Sequence, residues 1–201
     1  MKLYDFPLAP NPRKLRVYLA EKGIEIPRVL VDLTKGEQVA PGFLAKNPTG
    51  GLPVLELDDG TCLRESLAII EYLEELHPTP PMIGTTPLER ARVRALERSA
   101  DIGVLMGVAR VFHNTHAVLP GRVPNPEIAA IARRDLEKPA RFLDAQFGDG
   151  RAFVAGDRVT IADCTLFAAM EFARTGNLEI AWPAQVAAWY ERFRTRPSAS
   201  A

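Results

Sequence analysis

The stretch NPTGGLPVLELDDGTCLRES, Asn47 to Ser66, decides how the rest of the chain is read. Gly50-Gly51 is a loop signal. Val54-Leu55-Glu56-Leu57 and Thr61-Cys62-Leu63-Arg64 are short strand-like runs, and Asp58-Asp59-Gly60 between them is hairpin turn chemistry. Ser66 stands directly before an apolar run of helical period, where a cap is wanted. Pro53 heads the first run, where a residue without an N–H belongs at a strand's start or edge. Its bond to Leu52 can be cis, which costs only about 0.5–1 kcal/mol for X-Pro. That turn would leave Val54 with a free backbone edge, open to an added peptide strand. Glu65 beside it offers an acceptor for an ammonium. The helix opening at Ser66 offers N–H groups and the positive end of its dipole to a carboxylate. An edge, a cation site and an anion site side by side describe a receptor for a zwitterionic peptide.

Outward from this stretch, Lys2-Leu3-Tyr4 reads as a short strand and Pro7 to Pro12 as a loop. Asn11-Pro12 then opens a helix, Asn as cap and Pro at the first helical position. Leu15, Tyr18 and Leu19 give that helix an apolar face, and Gly23 ends it. Val29-Leu30-Val31 is short and apolar enough for a buried strand. Glu37 to Lys46 is a weak helix. The helix from Ser66 to about Leu76 places Leu67, Ile70, Leu73 and Leu76 on or near one face. The βαβ start predicts parallel first and second strands.

His77 to Pro87, HPTPPMIGTTP, reads as a linker. Everything after it is helical. Leu88 to about Val118 is one long helix or a helix with a break. Asn125-Pro126 opens a helix to about Phe147. Thr160-Ile161-Ala162-Asp163 is a capping box before a helix to about Arg174, and a last helix runs from about Pro183 to Arg194.

The 201 residues are 47% hydrophobic, enough for a sizeable core in one domain or two small ones. Lys+Arg 25 against Asp+Glu 25 argues against a general nucleic-acid or acidic-membrane role. No apolar run reaches transmembrane length and no signal-peptide pattern opens the chain. Cys62 and Cys164 are far apart and show no metal spacing, so a reducing cytoplasm is expected. His113 and His116 could share a helix face, but two ligands without a third do not make a metal site.

Leu52-Pro53-Val54-Leu55, then Arg64-Glu65-Ser66 and a helix ending near His77-Pro78, resembles the cytosolic glutathione S-transferases. The resemblance spans nearly the whole chain. It implies an α/β thioredoxin-like N-terminal domain over 1–77, a linker over 78–87 and an all-α helical domain over 88–201. It also implies a cytoplasmic homodimer using glutathione as co-substrate against a small hydrophobic electrophile. Leu52, Pro53, Val54, Glu65 and Ser66 are the positions it assigns to glutathione. Gln38 matches a position that contacts the glycyl carboxylate, while Val39 falls where some classes carry Lys, and Lys35 is either its replacement or, the favoured account, a solvated lysine.

Glutathione chemistry needs a thiolate, and a free thiol has a pKa of about 8.5. One hydrogen bond to the anion, at roughly 1.5–3 kcal/mol, lowers that by one to two units. The family places the donor in the loop before its first helix. Here the matching position is Ala9, with no hydroxyl or thiol, so dithiol exchange cannot run from this loop alone. Asn11 is the polar side chain that remains, with two readings. It is a cap, or its amide donates to sulfur, and both hold only if its oxygen caps while its nitrogen faces the thiol. Pro10-Asn11 resembles the Thr-Pro-Asn loop of nu-class transferases, which implies glutathione-dependent disulfide reductase or peroxidase activity. Ala9 keeps a non-catalytic glutathione- or ligand-binding module in view. Tyr4, Tyr18 and Arg13 are the other donor candidates, with Tyr18 expected in the core and Arg13 in solvent. Met106, Arg110, His113 and His116 are expected to line the electrophile pocket.

Overall fold

The computed structural model describes residues 1–117 and 123–201. Its first half holds β1 (Lys2–Asp5), α1 (Pro10–Lys22), β2 (Arg28–Leu30), α2 (Pro41–Leu44), β3 (Val54–Glu56), β4 (Cys62–Arg64) and α3 (Ser66–Leu76). The four strands form one sheet in the order β2-β1-β3-β4. β1 and β2 are parallel, as the βαβ connection requires, and β3 is antiparallel to both β1 and β4.

The second half is helical. α4 (Pro87–Arg98) leads through a π-helical segment, Ser99–Leu105, into α5 (Met106–Thr115). α6 (Pro126–Gln146), α7 (Ile161–Thr175) and α8 (Ala184–Phe193) follow. The expected long helix therefore exists with its break at the π segment. Its end near Val118 lies outside the described residues. Thr86 caps α4 and Asn125 caps α6, each through a side-chain oxygen. In the Thr160–Asp163 box, the Asp163 carboxylate accepts the Thr160 N–H and hydroxyl at 2.9 Å each and the Val154 N–H at 2.9 Å. Burial pushes that carboxyl up to about 6 against these hydrogen bonds. α7 is buried along nearly its whole length and packs on α1, α4 and α5, so one core joins the halves. Among the described residues no helix is long and apolar enough to cross a membrane.

Several sequence expectations are corrected. β3 is an inner strand, with Val54 opposite both Tyr4 and Arg64, so Val54 offers no free edge. β2 is an exposed edge strand rather than a buried one, and of its apolar run only Val31 is buried. Leu76 is exposed, and the buried face of α3 runs through Ser66, Ile69, Ile70, Leu73 and Glu74. The linker is not slack: the Lys22 ammonium donates to the Pro80 carbonyl, and Met82 and Ile83 are buried. Beyond α8, Pro197–Ser200 is a 3-10 turn packed on α1, tied there by Arg196 and Ser198 to Glu21.

Candidate functional site

The register of the sheet gathers four segments at one end. β1 ends at Asp5 and runs into the loop that opens α1. β2 ends at Leu30, opposite Asp5, and leads towards Gln38. β3, antiparallel, begins there at Val54, just after Leu52 and Pro53, whose bond is cis. β4 ends there at Arg64, opposite Val54, and hands over to Glu65 and Ser66. Pairing geometry alone thus brings the start of α1, the Leu52–Val54 segment and the start of α3 together.

Each segment is braced. Arg16, 4% exposed, donates to Asp5 at 2.6 Å and to the Pro7 carbonyl at 2.9 Å, which fixes the loop before α1. Buried Asn47 donates to the Gly51 carbonyl at 2.8 Å and accepts from the Thr49 N–H and hydroxyl, which shapes the turn into Leu52. Gly50, at φ 66°, lies against the Gln38 carbonyl, leaving only 3.1 Å for a side chain's first carbon. Gln38 is therefore beside this loop, with its Oε1 buried and without a hydrogen-bond partner. Val39 and Lys35 point elsewhere: Val39 is exposed and Lys35 pairs with Asp32 at 3.1 Å.

At the head of α3 the structure amends the capping expectation. Glu65, not Ser66, is the cap residue, at φ 66° and ψ 115°. A non-glycine residue there is strained, by about 1–3 kcal/mol. Its side chain makes no capping bond and is exposed, while Ser66 is the first helical residue and is buried.

At the head of α1 the cap is Ala9, and Asn11 is the second helical residue, so Asn11 is no cap. The cause is Pro10. The residue before a proline prefers extended backbone, and Ala9 at ψ 137° takes it. Pro10 and Pro12 have no N–H and Arg13's N–H returns to the Ala9 carbonyl, so the first turn presents one uncommitted main-chain donor, that of Asn11. The other donor candidates are engaged. The Tyr4 hydroxyl donates to Glu56 at 2.8 Å. Glu56 is held down to about 2 by side-chain hydrogen bonds from Lys46, Lys2 and Tyr4. The Tyr18 hydroxyl donates to Glu74 inside the core. Arg13 is not solvated as expected but faces buried Glu171 at 4.0 Å.

Pro10 and Asn11 form one wall of a cleft of about 740 Å³. Ile102, Gly103, Met106, Gly107 and Phe172 supply much of its apolar lining. Arg110 and His113 reach it too, as expected, and Arg110 meets Asp135 at 3.4 Å. His116 does not line it. Its Nε2 lies 2.8 Å from the Gly176 carbonyl, and its ring leans on Phe112. Among the described residues no group of three or more His, Cys, Asp or Glu could hold a metal ion.

Residues 3–81 match the family model for the glutathione S-transferase N-terminal domain, and residues 125–192 match the model for its C-terminal domain. The chain belongs to the glutathione S-transferase family. It is 38% identical to glutathione S-transferase 2 of Saccharomyces cerevisiae, over 98% of this chain and 87% of that one. It is 33% identical to a maleylacetoacetate isomerase of Pseudomonas aeruginosa, over 96% and 94%. The crystal structure of Gtt2 from Saccharomyces cerevisiae superposes with a TM-score of 0.90 at 36% identity, covering 100% of this chain and 99% of that one.

This transferase carries two buried charge clusters between its halves that its sequence did not announce. Glu171 on α7 takes the Arg174 fork at 3.1 and 2.7 Å and the Tyr190 hydroxyl at 2.5 Å, with Arg13 of α1 beyond. Burial alone would raise the Glu171 carboxyl, and the hydrogen bonds from Arg174 and Tyr190 hold it below the usual range instead. Lys14 of α1 is wholly buried against Glu97 of α4 at 3.0 Å.

Proposed function

We propose that this glutathione transferase binds the tripeptide across the gathered end of the sheet and activates its thiol at the start of α1. The thiolate then attacks a hydrophobic electrophile in the cleft beside Asn11. The observation that carries the reading is the sharing of one wall: Asn11, at the sheet end, also lines the apolar cleft.

In this reading Leu52 pairs its main chain with the peptide, while Pro53 and Val54 hold that segment against the sheet. Leu52 stands outside the ladder and supplies the pairing groups that Val54, inside it, cannot. Glu65 accepts the ammonium, and Ser66 with the α3 N-terminus takes the γ-glutamyl carboxylate. Gln38 serves the glycyl end, beside Gly50. The strain at Glu65 fits this role, since it holds an exposed carboxylate at a helix start without spending it on a cap. Two residues can serve the sulfur: Asn11, through its amide and its N–H, and His113, whose imidazole shares the cleft. We place the domain division at 1–77 and 88–201, and propose a cytoplasmic homodimer.

Two features favour other readings: the Pro10-Asn11 loop a glutathione-dependent peroxidase or disulfide reductase as the second reading, and Ala9 at the cap a binder without turnover. Calorimetry with glutathione, followed by turnover of a chlorinated aromatic, a peroxide and a mixed disulfide, separates these. Conjugation supports the first reading. Turnover of only the latter two substrates selects the second, uptake without any turnover selects the binder, and no uptake at millimolar tripeptide removes all three.

A further inference from the structure

Lys14 is an unusual resident of a helix–helix seam, since a lysine is almost never fully buried unless paired. Its ammonium reaches Glu97 at 3.0 Å on α4 and Asp101 at 3.5 Å in the π-helical segment. Glu97 is also fully buried and accepts from the Thr165 hydroxyl of α7 at 3.1 Å, while Arg98 closes on Asp101 at 2.7 Å. A buried ion pair of this kind adds little stability over apolar side chains of the same volume, because desolvation offsets the attraction. Its geometry is another matter, because a misaligned buried charge is costly.

The placement shows what that geometry holds. Asn11 and Lys14 are three residues apart on α1 and so lie on one side of it. Asp101 directly precedes Ile102 and Gly103, which line the cleft together with Asn11. The Lys14–Asp101 contact is thus one rung along from the gap between Asn11 and the π-helical wall. Gly103 is in turn seated on α6, where a side chain's first carbon would come within 2.6 Å of Pro139. The wall is thus braced by α6, whose Pro139 also lines the cleft, and by the lysine at the preceding Asp101.

We propose that Lys14 is a positioning residue, which through Glu97 and Asp101 sets the gap between Asn11 and the Ile102–Gly103 wall and so places the electrophile against the thiol. This rests on the transferase reading for its kinetic consequence but not for its structural one. The test is the pair Lys14→Met with Glu97→Gln, which removes both charges together, and Lys14→Arg, which keeps a cation able to span both carboxylates. In crystal structures the Asn11–Gly103 separation should grow in the first and hold in the second. Glutathione affinity should be unchanged in both. Turnover of the electrophile should fall in the first, by about 10²-fold if the gap opens by about 1 Å, and be largely retained in the second. If the charge-free pair does not fold, Asp101→Asn, at a partly exposed site, carries the same measurements. An unchanged separation overturns the proposal, as does a loss of glutathione affinity in step with turnover. If the parent chain takes up no glutathione, the transferase reading falls while the separation still decides this one.

Discussion

Replacing Asn11 by Ala tests the chemistry at its most exposed point. The first turn of α1 is poor in donors. Pro10 and Pro12 remove two main-chain N–H groups and Ala9 brings no side-chain donor, so a thiolate there meets the Asn11 N–H, the Asn11 amide and the dipole of a 13-residue helix. Hydrogen bonds to a charged group contribute roughly 1.5–3 kcal/mol each and the dipole about 0.3–1. At about 1.4 kcal/mol per unit, the full set lowers a thiol from about 8.5 by two units or more. Asn11→Ala keeps the N–H and the dipole and removes only the amide. The pKa of bound glutathione should therefore rise by about one to two units, back towards its free value. The thiolate absorbs in the ultraviolet, so a pH titration of the difference spectrum at saturating glutathione reads this directly. The sign is fixed: a donor to the anion lowers the pKa, its loss raises it, and the rate falls at neutral pH but recovers in alkali. An unchanged pKa in a folded, glutathione-binding variant refutes the role of Asn11. If His113→Ala then produces the shift, the polarising group sits on α5.

Three further outcomes are expected. Glu65→Gly relieves a strain of about 1–3 kcal/mol at the small entropic cost of glycine, so stability to urea should rise by about 1 kcal/mol. Glutathione affinity should fall at least about tenfold as the ammonium loses its acceptor, and calorimetry reads both. Gly103→Ala drives a carbon into Pro139, so it should destabilise by about 1–3 kcal/mol and change the Michaelis constant for the electrophile rather than for glutathione. Asp163, pushed up to about 6 from 3.8, holds its proton more tightly in the folded state. Its contribution is fully present below pH 3.8 and is lost as pH rises through about 6, by roughly 3 kcal/mol. Urea unfolding of parent and Asp163→Asn across that window should show the variant lacking that slope.

What could be read from the sequence was local. The hairpin, the proline before β3, the capping box at Thr160 and the Asn125 cap each depend on residues a few positions apart. The errors come where a second constraint decides. Val54 looked like an edge because its own stretch supplies only β4, and the other neighbour, β1, comes from the far side of two connections. Asn11 looked like a cap because Asn-Pro is a strong signal, yet Pro10 one residue earlier makes Ala9 the last extended residue. Ser66 lost the cap to Glu65 because a strained, φ-positive residue has no favourable local signature. A local optimum would have placed serine there, so the departure is itself informative about the site.

The charged seam was illegible for a more basic reason. Lysines one turn apart on a helix look alike in sequence whether they end in water or against a carboxylate, and the partners of Lys14 lie 83 and 87 positions away, at Glu97 and Asp101. In the folded chain Lys14 has no route to water, at 0% exposure. Lys14 sits directly between Arg13 and Leu15, in a helix whose buried residues run unbroken from Lys14 to Leu19, so no face is left for it to be wholly solvated. Arg16 shares that predicament and solves it with Asp5 and the Pro7 carbonyl, and Arg13 with Glu171. α1 thus carries three cations in four residues, and each is committed to a different neighbour: the sheet, α7 and the α4–π wall. A helix pinned in three directions by charge has little freedom to rotate or slide. Its N-terminus therefore stays aimed at the point where the sheet end and the cleft meet, which is what a site with so few donors of its own requires.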